Sequence, residues 1–303
     1  MTSQQILITG GSGFLGQALI RYWLTQNHEI TVLSRDPLAT LELFGPKINA
    51  ISSLKLLPAT AHFDAVVNLA GSPIFGKRWS PARKQELRNS RIELTHQLVK
   101  FIEQMPVKPE VLLSGSAIGI YGNQGDTLLN EQSLAKADFS QQLCADWEHA
   151  ALLAEQFGIR VCLIRTGLVL GNGGGLLSRM LPAFKLGLGG RLGNGLQWMS
   201  WIHRDDWVRI VDTLLHEKTL HGAFNATAPH PVTNHTFSQK LAKHLHRPAC
   251  LPLAAKLLEL LLGEMSELVL GSQRVIPQRL LEQQFVFNYP DLDQALQSIV
   301  NVK

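Results

Sequence analysis

The residues best equipped for chemistry stand near the amino terminus, in Thr9-Gly10-Gly11-Ser12-Gly13-Phe14-Leu15-Gly16. Gly10, Gly13 and Gly16 recur at every third position. Glycine reaches positive φ without a Cβ penalty and lets backbone amides close on a bulky anion. Where such a turn leaves a strand and opens a helix, the oriented amides and the helix dipole suit a pyrophosphate. The apolar run Gln5–Thr9 and the helical pattern Gly13–Gln26 supply that context. Gly10, Ser12, Gly13, Phe14, Leu15 and Gly16 are therefore predicted to cradle a dinucleotide diphosphate.

The end of the next apolar run bears on which dinucleotide. NAD-binding units place an acid there for the ribose 2′-hydroxyl, about 20 residues on. Here Thr31-Val32-Leu33-Ser34 is followed by Arg35 and then Asp36. A guanidinium can pair with a 2′-phosphate and stack on adenine, which favours NADP(H). The alternative leaves Arg35 solvated and gives the ribose to Asp36, as NAD(H) requires. Further on, Asn68-Leu69-Ala70-Gly71 ends a buried run in small residues, past which a ribose or adenine can lie close to backbone. The helix after it carries Arg83, Lys84, Arg88 and Arg91 against Glu86. Arg91 with Glu86 is expected to face the cofactor and the other cations to face solvent.

These groups need a scaffold. Gln5–Thr9, Glu29–Ser34, Ala65–Leu69, Val111–Ser114 and Val161–Thr166 are short runs rich in Val, Ile and Leu, as in strands buried on both faces. Helical patterns Gly13–Gln26, Pro81–Gln104 and Phe139–Phe157 alternate with them. The expectation is an α/β fold: a Rossmann-type doubly wound parallel sheet over residues 1–170. Residues 171–303 are read as a smaller, mostly helical substrate-pocket portion interleaved with the sheet. Its helical patterns are Asp205–Glu217, Asn234–Leu245, Pro252–Leu262 and Asp291–Val300. Gly171–Gly175 reads as a flexible break, and Leu257–Leu262 as core, with a homodimer face as the alternative.

Composition narrows the class. The 303 residues are 45% hydrophobic and 17% charged, which excludes disorder and repetitive fibres. Three scattered cysteines, Cys144, Cys162 and Cys250, fit a reducing compartment rather than a disulfide scaffold. A net charge of +4 is too mild to argue for nucleic acid. No run reaches the roughly 18 apolar residues of a membrane span, and Met1-Thr2-Ser3-Gln4-Gln5 lacks a basic leader. The reading is a cytoplasmic protein with a small-molecule substrate. No histidine spacing implies a metal.

Together, Thr9–Gly16, Asn68–Gly71, Ser114-Gly115-Ser116-Ala117 with Tyr121-Gly122, Arg165-Thr166-Gly167-Leu168-Val169 and Trp201–Asp206 resemble the extended short-chain dehydrogenase/reductase pattern. Asp146-Trp147-Glu148, Gly173–Gly175 and Ser272–Pro277 resemble its atypical epimerase-family subgroup. The resemblance spans essentially the whole chain. It implies a Rossmann fold, NADP(H), cofactor contacts from Leu69, Ala70, Gly71, Ser114, Leu168 and Val169, and oxidoreductase or epimerase-like chemistry on a small carbonyl or sugar-like substrate.

One departure stands out. Active relatives pair a Tyr with a Lys four residues later, and the Lys lowers the phenol pKa for proton exchange. No Tyr-x-x-x-Lys occurs in this chain, and the equivalent helix positions carry Cys144 and Glu148. Glu148 would raise the Cys144 pKa rather than lower it. It could accept from ribose hydroxyls or be salt-bridged, while Cys144 reads mainly as a packing residue. Ser116, where the family's hydroxyl bonds the substrate oxygen, and Tyr121, with no cationic neighbour in view, are the candidate catalytic groups. His203, Cys144 and Glu148 are candidate pocket residues. A protein that binds NADP(H) as a sensor or scaffold, without turnover, is the alternative.

Overall fold

The computed structural model describes residues 3–300; Met1, Thr2 and residues 301–303 lie outside the described residues. Strands β1 (Gln5–Thr9), β2 (Glu29–Leu33), β3 (Ile48–Ile51), β4 (Ala65–Asn68) and β5 (Val111–Ala117) form most of the central sheet. After the short β6 (Leu128–Leu129) come β7 (Arg160–Thr166), β8 (Leu168–Leu170), β9 (Trp198–Met199), β10 (Trp201–His203) and β11 (Gly222–Ala226). The short strands β12 (Val232–Thr233) and β13 (Arg274–Val275) complete the set. Seven strands pair in the order β3-β2-β1-β4-β5-β7-β11. Every pairing in that sheet is parallel.

A strand inside a parallel sheet must be apolar on both faces, because crossover helices cover both. Ile6 and Ile8 of β1 point into one core with Ile20 and Trp23, and Leu7 points into the other with Leu98 and Ile102. The first core lies against α1 (Phe14–Thr25), and the second against α4 (Leu94–Gln104). Crossovers α2 (Pro37–Phe44), α3 (Pro81–Arg88) and α5 (Phe139–Leu152) complete the first part of the chain. Neither α2 nor β3 was legible in the sequence pattern.

The stretch expected as one helix over Pro81–Gln104 is broken: α3 passes through a π turn at Asn89–Glu93 before α4 begins. Such an insertion re-aims side chains without ending the helix. Here it presents the Ser90 hydroxyl to Ser72 N at 2.9 Å and lets Arg91 Nη2 donate to Ser72 O at 3.0 Å.

The second part adds α6 (Gly175–Lys185), α7 (Arg204–His216), α8 (Asn234–His244), α9 (Ala255–Leu262), α10 (Glu267–Leu270), α11 (Gln278–Glu282) and α12 (Leu292–Val300). It is tied to the first part, because β11 joins the central sheet beside β7 and β13 pairs with β6 in a separate two-stranded sheet. The glycines of 171–175 are no loose break. A Cβ on Gly174 would overlap the Phe14 ring, and one on Gly175, at φ +70°, would come 2.6 Å from Val169 O. Gly171, Gly174 and Gly175 allow close packing around Phe14. The core reading of Leu257–Leu262 also needs correction: Leu258 is buried, but Leu260 is 71% and Leu261 57% exposed.

Candidate active site

At the cradle, Gly10 has φ +71°, and a Cβ there would stand 2.6 Å from the Leu69 carbonyl carbon. The β1 and β4 ends therefore meet backbone to backbone. The Thr9 hydroxyl donates to Asn68 Oδ1 at 2.8 Å, and Asn68 Nδ2 to the Thr95 hydroxyl at 2.8 Å. This buried polar chain locks the two turns together. Gly13 caps α1 without a side-chain hydrogen bond, so the first helical amides remain open to a ligand. Ser12 and Gly13 are exposed there, with Phe14 and Leu15 half-buried and Gly16 buried beneath.

The end of β2 separates its two candidates. Asp36 Oδ1 accepts from Ala39 N at 3.0 Å and caps α2. Arg35 is exposed, and among the described residues its guanidinium has no hydrogen-bond or ion-pair partner. Ser114, opposite Asn68 in the β4–β5 register, is buried with an unpartnered hydroxyl.

Arg91 and Glu86, expected to face the cofactor, are both engaged within the protein beside the Gly71 turn. Arg91 stacks on Trp147 at 5.3 Å and donates to Ser72 O and Leu87 O. Glu86 pairs with Arg83 at 2.7 Å and accepts from the Ser72 hydroxyl. Both side chains brace the turn after Gly71.

Beyond the carboxyl ends of β5 and β7 lies a cavity of about 590 Å³. Its floor is Ala117, Cys144, Thr166, Gly167 and Leu168; Val169, next along, is buried. Leu176 and Met180 of α6, Trp198–Ser200 and residues 266–271 wall it. The tail is fastened by Ser272, whose hydroxyl donates to Gly125 O at 2.6 Å and accepts from Trp198 N at 3.0 Å.

Under the floor is an ion-pair network. Arg165 engages both oxygens of Glu148, with Nε to Oε1 and Nη2 to Oε2 each at 2.9 Å. The Ser116 hydroxyl donates to Glu148 Oε1 at 2.6 Å. Arg165 Nη1 reaches the Tyr121 hydroxyl at 3.1 Å, and that hydroxyl donates to Asn225 Oδ1 at 2.6 Å. Burial lowers the Arg165 pKa, but the Glu148 carboxylate more than offsets it and the net shift is upward.

One expectation falls here and one alternative is decided. Tyr121 has a cation beside it, and it is sealed, 1% exposed. Burial pushes its pKa up against the opposing pull of Arg165. With both neighbours inside the protein, its hydroxyl is not offered to a substrate. Glu148 is salt-bridged rather than offered to a ribose.

Cys144 does line the cavity, as a neutral thiol: burial first, and Glu148 second, push its pKa up to about 12. Burial likewise raises Cys162 to about 11. Iodoacetamide at pH 8 is therefore expected to alkylate the exposed Cys250 and spare Cys144 and Cys162. Mass mapping of the labelled peptides checks this, and rapid labelling of Cys144 would contradict it.

His203 lies elsewhere. It stacks on Tyr289 with centroids 3.8 Å apart, and its Nδ1 accepts from Asp205 N at 3.1 Å to cap α7. Burial lowers its pKa. The pocket role expected of it is corrected to a structural one.

Arg165 and Asn225 were absent from the sequence-derived site. The signal was there: an arginine within a strand buried on both faces requires a buried acid. Among the described residues, no group of three or more His, Cys, Asp or Glu side chains could hold a metal ion, and no helix is long and apolar enough to cross a membrane.

A glycine-lined helix start over a parallel sheet of this strand order defines the Rossmann-type dinucleotide-binding class. Residues 6–226 match the NAD dependent epimerase/dehydratase family, and the chain belongs to it. Residues 253–299 match a domain of unknown function, DUF1731. The chain is 38% identical over 301 residues to "Epimerase family protein SDR39U1 homolog, chloroplastic" of Arabidopsis thaliana, covering 97% of this chain and 86% of that one. It is 36% identical over 300 residues to epimerase family protein YfhF of Bacillus subtilis, covering 97% of each. The crystal structure of human epimerase family protein SDR39U1 (isoform2) with NADPH superposes with a TM-score of 0.89 at 33% identity, covering 99% of this chain and 100% of that one.

Proposed function

We propose that this protein binds NADP(H) and performs reductase or epimerase-like chemistry on a small carbonyl or sugar-like substrate. The observation that carries the reading is the uncapped, glycine-lined start of α1 together with Arg35, a guanidinium that no described group engages while Asp36 caps α2. The human relative crystallised with NADPH supports it. The backbone of Gly10–Gly16 would take the diphosphate, Arg35 the 2′-phosphate, and Leu69–Gly71, Ser114, Leu168 and Val169 the adenosine and nicotinamide flanks. Bound there, the nicotinamide would supply hydride transfer.

Ser116 is the hydroxyl that would orient the substrate oxygen. It stands beside Ala117 of the cavity floor, and its hydroxyl donates to Glu148 Oε1. Its oxygen can still accept from a substrate hydroxyl, with Glu148 behind it as proton partner.

Calorimetry with NADPH and NADH is the first test. Arg35→Ala is expected to weaken NADPH binding by about 10- to 100-fold, as for loss of one charge-assisted contact, and to leave NADH nearly unchanged. Equal losses for the two coenzymes would remove Arg35 from the phosphate site. NADPH oxidation with a panel of ketones and aldehydes tests turnover.

The locked network favours a second reading. With Tyr121 and Glu148 held by Arg165, the protein would hold the coenzyme as a sensor or scaffold without turnover. NADPH and NADP⁺ would then bind with unequal affinity, and no carbonyl compound would be reduced.

A further inference from the structure

The lining of the cavity carries a charge pattern that speaks to its ligand. A nucleotide sugar brings a diphosphate, which proteins meet with arginines, lysines or open helix starts. Among the described residues lining this cavity the one cation is Lys136, against the carboxylates of Asp138, Glu259 and Glu267. Of the helix starts at its wall, that of α6, which carries Leu176, has no side-chain cap, whereas that of α5 is capped by Asp138 itself, whose Oδ1 accepts from Gln141 N at 2.7 Å. An anion placed at the α5 start would meet a carboxylate instead of open amides.

The cations nearest the cavity are mostly engaged. Arg274 lies over Trp198 at 4.3 Å and pairs with Asp126 at 3.5 Å. Lys84 pairs with Glu264, and Arg78 donates to Leu260 O. Arg179 is an exposed guanidinium 5.9 Å above the Phe75 ring. Glu259 and Glu267 have no ion-pair or hydrogen-bond partner among the described side chains. The rest of the wall is largely apolar, with Ile74, Phe75, Leu176, Met180, Met199 and Leu268.

We infer that the cavity takes a phosphate-free, largely apolar small molecule, neutral or positively charged, in place of a nucleotide sugar. The inference rests on the proposed function for the cavity's being the substrate site, and it narrows the substrate class within that reading. A negative rim lowers the local concentration of anions and favours neutral or cationic ligands, while the apolar wall supplies the affinity. Burial, with Asp138 and Glu264 close by, raises the Glu267 pKa, as expected of a carboxylate among others of its kind.

The test uses three probes of one shape and different charge: 4-phenylcyclohexanone, 4-phenylcyclohexylamine and 4-phenylcyclohexanecarboxylate, with UDP-glucose as the fourth. Each is titrated into the full chain saturated with NADPH, followed by calorimetry and ligand-observed NMR. The expected result is binding of the ketone and the amine, a carboxylate at least about fivefold weaker, and no binding of UDP-glucose. The double variant Glu259→Lys/Glu267→Lys is expected to strengthen the carboxylate by about fivefold or more, with NADPH affinity unchanged. The inference is overturned if UDP-glucose or the carboxylate binds as tightly as the ketone, or if none of the three shape-matched probes binds. If NADPH itself fails to bind, the proposed function falls. The same ranking is then required of the coenzyme-free protein, so the two failures are distinguishable.

Discussion

Arg165→Met is expected to destabilise the protein by about 3–5 kcal/mol, the usual cost of stranding one member of a buried ion pair. The substitution leaves Glu148, 7% exposed as a residue, with Ser116 as its one remaining polar partner. It also removes the hydrogen bond from Nη1 to Tyr121. Adding Glu148→Gln should recover part of the loss, because a neutral amide needs no counter-charge. The double variant is then more stable than Arg165→Met alone, a non-additivity of about 1–3 kcal/mol. Urea unfolding of the four proteins of the cycle measures it. Strictly additive losses would show that the two groups do not stabilise one another. The readout is independent of catalysis, so it holds whether or not the protein turns over a substrate.

Gly10→Ala should be about as damaging and should act on a different property. At φ +71° an alanine is strained by about 1–3 kcal/mol, and its Cβ 2.6 Å from the Leu69 carbonyl carbon adds an overpacking cost of about 1–3 kcal/mol. The β4 turn must move away from the cradle to make room. The expected outcome is a fall in unfolding midpoint together with NADPH binding weakened by at least about 100-fold, from misplacement of the diphosphate site. An intact NADPH affinity in a folded Gly10→Ala protein would place the coenzyme elsewhere.

The sheet was legible because parallel strands must be apolar on both faces, and β1, β2, β4 and β7 show that as runs of Ile, Val and Leu within a residue or two of their ends. β3 is a four-residue edge strand in which Ile48 and Ile51 are buried but Asn49 and Ala50 interrupt them, so it carries no such run. The cradle could be read because its glycines are needed by local geometry. The site beneath the cavity could not, because its meaning is relational. Glu148 lies on a helix, Arg165 on a strand and Asn225 on another strand, and burial is what makes them one network. Tyr121 was misjudged for the same reason: its neighbour Arg165 is 44 residues away in sequence. His203 was a candidate pocket residue, but the ring that covers it, Tyr289, comes from the far end of the chain.

The packing of Gly171, Gly174 and Gly175 around Phe14 has a consequence for how the protein can change over time or be redesigned. The aromatic ring at the start of α1 is grasped by the segment that launches α6, and α6 in turn walls the cavity beyond β5 and β7. Swapping the second half of this chain onto another coenzyme-binding module would therefore require that module to offer a ring of similar size at the same place. The two halves must be inherited, or transplanted, as a matched set.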